Sequence, residues 1–168
     1  MARVRVKYDR FPGFLAAASA DTVQGRLAAL DRALGEGIGR KLFTVLVVNR
    51  ARGENQRIYS SLPEAYPVGG AKPIVAGSLD SVLHGRCRFL DTYDDVKAAF
   101  FDHGLIRSLG CESCVNVPVM WDGEVIGMLN LLHEALWYDA EDVPTFSIMA
   151  ALAVPALQQV IAGWGNEA

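Results

Sequence analysis

Residues 111–132 read Cys111-Glu-Ser-Cys-Val-Asn-Val-Pro-Val-Met-Trp-Asp-Gly-Glu-Val-Ile-Gly-Met-Leu-Asn-Leu-Leu132. Two apolar runs flank Asp122-Gly123, a dipeptide that tolerates the positive φ of a two-residue hairpin turn. A tight turn there sets a register in which Trp121 faces Glu124, Val117 faces Met128, Asn116 faces Leu129 and Val115 faces Asn130. Side chains alternate across a sheet, so Val115, Val117, Val119, Ile126, Met128 and Asn130 share one face, and Cys114, Asn116, Pro118, Gly127, Leu129 and Leu131 the other. Both faces are largely apolar, as in a sheet covered on both sides. One asparagine then projects from each face, which points to a covering layer that encloses a small polar ligand.

Working outward, Asp21 or Ser19 can cap a helix from Thr22 to about Leu34, with Val23, Leu27, Leu30 and Leu34 on one stripe. Leu42 to Asn49 is apolar on both faces and reads as an interior strand, followed after a polar turn by a strand at Gln56 to Ser61. Leu62 to Gly77 carries Pro63, Pro67, Gly69, Gly70 and Pro73 and reads as one long irregular loop, a length that is usually functional. A short helix at Ser78–His84, a strand at Cys87–Asp91 and a helix at Asp94–Phe101 capped by Asp94 lead back to the hairpin. A closing helix starts near Asp142, with Pro144 in its first turn and a kink expected at Pro155.

The 168 residues suit a single domain, with a core at about 22–160 and an extension at 1–20. A net charge of −3 gives no general attraction to phosphate backbones, so no nucleic-acid partner is expected. No apolar run approaches the roughly 20 residues of a membrane span, so no membrane partner is expected either. Arg3, Arg5, Lys7 and Arg10 ahead of Phe14–Ala20 faintly mimic a secretory leader, but Pro12-Gly13 interrupts the apolar stretch. Three cysteines, an odd number, argue against a disulfide framework and for a reducing cytoplasm.

The pattern carries a resemblance. Leu109-Gly110 through Ser113, Val117-Pro118-Val119, Asp122-Gly123, Val125-Ile126-Gly127 and Leu129-Asn130-Leu131 resemble the central signature of the GAF domain family. Val45–Val48 and Asp142–Leu157 fall where that family has its first strand and closing helix. The resemblance implies an α/β (α+β) fold, GAF-like or PAS-like: a central antiparallel sheet, helices packed on one face, and ligand-pocket loops on the other. It names no ligand. It also implies a single domain standing alone, dimerising through its first and last helices.

Several constellations invite chemistry. Cys111-Glu-Ser-Cys114 has the spacing of a redox pair or half a zinc site, but no second ligand pair accompanies it and no metal is expected. One branch of the GAF family reduces free methionine sulfoxide with three cysteines through a sulfenic acid and a resolving disulfide. Cys87, Cys111 and Cys114 match that branch in number but not in placement, which leaves attacking and resolving roles unassigned. His84, His103 and His133 form no metal or triad motif, although His103 could meet a ligand or a haem. Tyr66 to Pro73 lacks phosphate-loop spacing. The family's cyclic-nucleotide signature is absent, and no cysteine has the flanking pattern of a bilin attachment site.

The sequence thus points to a cytoplasmic sensory module that binds a small, polar or anionic metabolite under the 62–77 loop without a cofactor. Its expected ligand-binding residues are Tyr59, Tyr66, Gly69, Gly70, Lys72, His103, Ser113, Cys114 and Asn116. The alternative is a thiol-dependent reductase using Cys87, Cys111 and Cys114.

Overall fold

In the computed structural model, residues 19–74, 77 and 79–164 are described; the expected N-terminal extension and leader-like segment lie almost wholly outside them. Helix α1 (Val23–Gly37) starts at Thr22, whose hydroxyl accepts from the Gly25 amide at 3.0 Å, so Thr22 rather than Asp21 or Ser19 is the cap. Strands β1 (Leu42–Asn49) and β2 (Glu54–Ser60) follow. A three-residue strand β3 (Ala71–Pro73) pairs with β2 inside the segment expected to be irregular. Helix α2 (Asp80–Leu83), strand β4 (Arg88–Leu90), and helices α3 (Tyr93–Ala99) and α4 (His103–Ser108) lead to the hairpin β5 (Ser113–Trp121) and β6 (Glu124–His133). Helix α3 is capped by Thr92 in a box with Asp95, not by Asp94, because the Thr92 hydroxyl and the Asp95 carboxylate serve each other's backbone amides. One turn of 3-10 helix (Ala140–Asp142), capped by Asp139, opens into the closing helix α5 (Val143–Trp164).

The sheet is six-stranded and antiparallel throughout, in the order β3-β2-β1-β6-β5-β4. Helices α1 and α5 bury their apolar sides against one face, where Leu30, Leu34, Phe43, Val117, Leu129 and Phe146 belong to the main core. A smaller cluster built on Leu42, Val96, Ile106 and Leu132 fills the other side. Gly127 marks the closest approach: an added Cβ would collide with the Leu46 carbonyl and the Leu157 side chain.

The hairpin corrects the expected register. Asp122 and Gly123 take φ of 50° and 77°, and Trp121 does face Glu124. One turn further, Met120 pairs with Val125 but Val119 pairs with Gly127, leaving Ile126 as a bulge residue. Beyond that point every partner shifts by one: Val117 faces Leu129, and Asn116 faces Asn130. The two asparagines therefore share one face instead of projecting from opposite ones.

Helix α5 bears on the reading of membrane spans. Its 22 residues include no charged side chain, and by length and composition it could cross a membrane. Ser, Thr, Gln and Pro hide this from a search for an unbroken apolar run. Its Phe146, Met149, Ala153 and Leu157 side is buried in the main core, as in the core helix of a globular domain. The helix continues through Pro155.

Candidate functional site

A cavity of about 400 Å³ lies on the face of the sheet away from α1 and α5. Its floor comes from the strands, with Lys72 and Pro73 standing on the edge strand β3, and its cover from Tyr66 with Leu79, Phe100, Phe101 and Ile106. The cover is thus shared between Tyr66 and the region around α3 and α4, with β3 closing one edge.

The hairpin bulge builds the polar part of the floor. Asn116 Nδ2 donates to Asn130 Oδ1 at 2.7 Å, and Asn130 Nδ2 donates to Thr44 Oγ1 at 3.1 Å, a buried ladder across β5, β6 and β1. A second bulge builds the charged part. On β2, Arg57 pairs with Leu46 but Tyr59 pairs with Val45, so Ile58 is the extra residue. Without it, Arg57 and Tyr59 would share a face. With it, Asn55 and Arg57 line the cavity, while Tyr59 turns to the helix side and donates to Asp31 Oδ2 at 2.9 Å.

Arg57 is only 8% exposed. Its guanidinium lies over the Tyr66 ring, 3.9 Å from the centroid, and Nη1 donates to the Pro67 carbonyl at 2.7 Å. Tyr66 OH donates to Asp102 Oδ2 at 2.7 Å, and Lys72 Nζ reaches the same oxygen at 3.5 Å. Lys72 also stands 4.5 Å from the centre of the Phe101 ring. Burial lowers the Lys72 pKa, with Asp102 opposing that shift, and burial, then the bond to Asp102, raises that of Tyr66. Four buried polar atoms lack a partner among the described residues: Asn55 Oδ1, Arg57 Nε, Asp102 Oδ1 and Asn116 Oδ1. Three of the four belong to cavity-lining side chains. Such atoms are rare in folded proteins because each forfeits its hydration without recompense.

Of the residues expected from sequence to bind a ligand, Tyr66, Lys72 and Asn116 line this cavity. Gly69 and Gly70 sit behind it, bonding their backbone to that of Arg57. Cys114 lies beside the cavity on the same face of the sheet, buried in the smaller cluster and accepting from Asn116 Nδ2 at 3.6 Å. His103 is engaged with the Tyr93 hydroxyl at 2.8 Å, and Ser113 donates to the Glu134 carbonyl at 2.6 Å. Tyr59 occupies the opposite layer. Sequence reasoning missed Thr44, Asn55, Arg57, Arg88 and Asn130. For Asn55 and Arg57 the available signal was the run Glu54-Asn-Gln-Arg57, polar on both faces of a strand inside a largely apolar chain.

The cysteines do not converge. Cys87 packs against the main core on the helix side, whereas Cys111 and Cys114 belong to the smaller cluster beyond the sheet. All three are free thiols. Burial pushes Cys111 up to about 11, raises Cys114 further and raises Cys87, so none is a ready thiolate at neutral pH.

An antiparallel sheet with helices on one face and a loop-roofed cavity on the other is the architecture of a small-molecule-binding domain. A model of the GAF domain family matches residues 15–158, and the chain belongs to that family, whose domains are generally sensory or bind small molecules. No curated protein matches it by sequence. Among solved structures it is similar to the GAF domain of an Acinetobacter phosphoenolpyruvate-protein phosphotransferase, at 10% identity and TM-score 0.72, covering 93% of this chain and 96% of that one. It is also similar to the free methionine-R-sulfoxide reductase of Neisseria meningitidis in complex with its substrate (18%, TM-score 0.67, 94% and 95%). The GAF domain of the cyanobacteriochrome TePixJ is a third (16%, TM-score 0.64, 85% and 93%). At these identities the likeness is one of fold.

Proposed function

We propose that this GAF domain is a sensory module whose cavity binds a small anionic metabolite, held between the β2 to β6 floor and a roof that includes the 62–77 segment. The observation that carries this reading is Arg57: a buried cation facing a cavity, with Nε unpartnered and no carboxylate beside it among the described residues. A charge so placed is costly on its own, and an incoming anion removes that cost. The volume falls in the range of small-molecule sites. Lys72 and Asp102, linked across the roof, would re-pair as a ligand enters and so report occupancy.

The reading is tested by thermal denaturation with a metabolite panel, since a ligand of the native state at a hundred times its Kd adds about 2.7 kcal/mol. A rise with an anion that Arg57→Gln abolishes supports it. No rise with any compound, and nothing co-purifying by native mass spectrometry, would remove it. Three free thiols accord with a reducing, cytoplasmic setting. The uncharged outer side of α5, with Ser147, Ile148, Ala151 and Gln159 turned away from the core, suits a homodimer formed with α1. Sedimentation of the Ala151→Asp variant as monomer, with the unaltered chain as dimer, is the expected result.

A further inference from the structure

Cross-strand pairing lays the cavity floor out in two rows. In one, Arg57, Leu46 and Met128 stand side by side on β2, β1 and β6. In the other, Thr44, Asn130, Asn116 and Arg88 cross β1, β6, β5 and β4. Charge sits at the two ends, and Leu46 and Met128 put hydrocarbon between them. Each end also pairs a guanidinium with a carboxamide: Asn55 lies two residues from Arg57 on the same face, and Asn116 directly faces Arg88. In both carboxamides the oxygen is buried without a partner. Following the sheet order, β2 and β4 are four spacings apart, about 19 Å along the sheet at about 4.8 Å each. The two arginines are therefore rooted at opposite ends of the floor, each beside its own carboxamide.

The charge balance agrees. Lys72 is matched by Asp102, whereas neither Arg57 nor Arg88 has a carboxylate partner among the described residues. Two uncompensated cations call for two negative charges. Resting on the anion-binding reading above, we infer that the ligand is an elongated dicarboxylate. Arg57 and Arg88 hold its two acid groups at opposite ends of the floor, and its apolar spacer lies across Leu46 and Met128 under Phe100 and Ile106. A hydroxyl or amino group beside either acid would meet the free Asn55 or Asn116 oxygen, so substituted diacids bind at least as well as plain ones.

The test is isothermal titration of the full chain with glutarate, adipate and suberate, set against monomethyl adipate and adipamide. At least one diacid should bind about tenfold or more tightly than the half-ester, which keeps a single charged end. Arg57→Gln and Arg88→Gln should each bring that diacid down to half-ester affinity, with the diamide weakest throughout. Arg88 is only partly buried on a short edge strand, so its variant keeps the fold, and an unchanged melting profile verifies this. A diacid no tighter than its half-ester, or diacid binding indifferent to Arg88→Gln, overturns the inference. If the metabolite panel shifts the melting temperature while no diacid binds, the dicarboxylate falls and the receptor reading stands. If neither acts, both fall.

Discussion

Arg57 is held where a folded chain gains least from it. Its guanidinium stacks on the Tyr66 ring, but it has one carbonyl acceptor, an unpartnered Nε and no counter-charge among the described residues. Replacing a buried charge by an apolar side chain of similar volume is often neutral or stabilising. Arg57→Met is therefore expected to change the stability of the ligand-free protein by no more than about 1 kcal/mol while abolishing ligand-induced stabilisation. Urea denaturation with and without ligand separates the two effects, and a large loss in the ligand-free protein would show Arg57 to be structural. The cysteines yield a second expectation at this scale. Cys111 is pushed by burial from 9.0 to about 11, so in the folded protein it stays protonated where the unfolded chain has lost its proton. Its contribution is complete below pH 9 and is lost as pH rises from there towards 11. Against wild type, Cys111→Ala should show a shallower alkaline decline in unfolding free energy from urea titrations, by up to about 1.4 kcal/mol per pH unit. Iodoacetamide at pH 8 should reach Cys87 well before Cys111 or Cys114, with mass spectrometry of the digested protein giving the order.

Two single-residue bulges decide which side chains meet across the cavity. Ile126 on β6 brings Asn130 opposite Asn116, and Ile58 on β2 parts Arg57 from Tyr59. The strands, the Asp122-Gly123 turn and the closing helix are legible in sequence, because periodicity and turn chemistry are local properties. The bulges are not. Both faces of the hairpin are apolar, so a slip of one residue leaves the hydrophobic pattern almost unchanged and the sequence does not report it. Unbroken alternation therefore places Asn116 and Asn130 on opposite faces, and only the bulge sets them side by side. On β2, unbroken alternation puts Tyr59 and Arg57 on one face, and only the bulge at Ile58 separates them. The tight seam between β6 and α5 provides the test at this scale. Gly127→Ala places a methyl against the Leu46 carbonyl and the Leu157 side chain, and neither a backbone oxygen nor a buried leucine can retreat cheaply. A loss of about 1–3 kcal/mol in urea is expected. Asn130→Ala should cost a similar amount by leaving Asn116 Nδ2 only the weak Cys114 sulfur as acceptor. A neutral Gly127→Ala would mean that the helix sits further from the sheet than the structure has it.

At the scale of the molecule, the sheet divides two layers of unequal strength. The helix side holds the larger core, joining α1 and α5 to the middle strands, whereas the cavity side rests on the smaller cluster around Ile106 and Val96. Its covering elements are short: α2, α3 and α4 are helices of 4, 7 and 6 residues, below the length at which a helix holds itself without packing. Roof and sheet should consequently open with different free energies, the roof locally and the sheet only with global unfolding. Hydrogen exchange is expected to show amides of α2, α3 and α4 exchanging far faster than those of β1, β5, β6 and α5. A ligand at a hundred times its Kd should slow the roof by up to about a hundredfold, because each roof opening that releases the ligand is opposed by its binding energy. Amides of α1 and the inner strands should slow only to the extent that they exchange through global unfolding. Slowing confined to α1 and α5, with the roof unchanged, would put the ligand on the helix side of the sheet and away from Arg57.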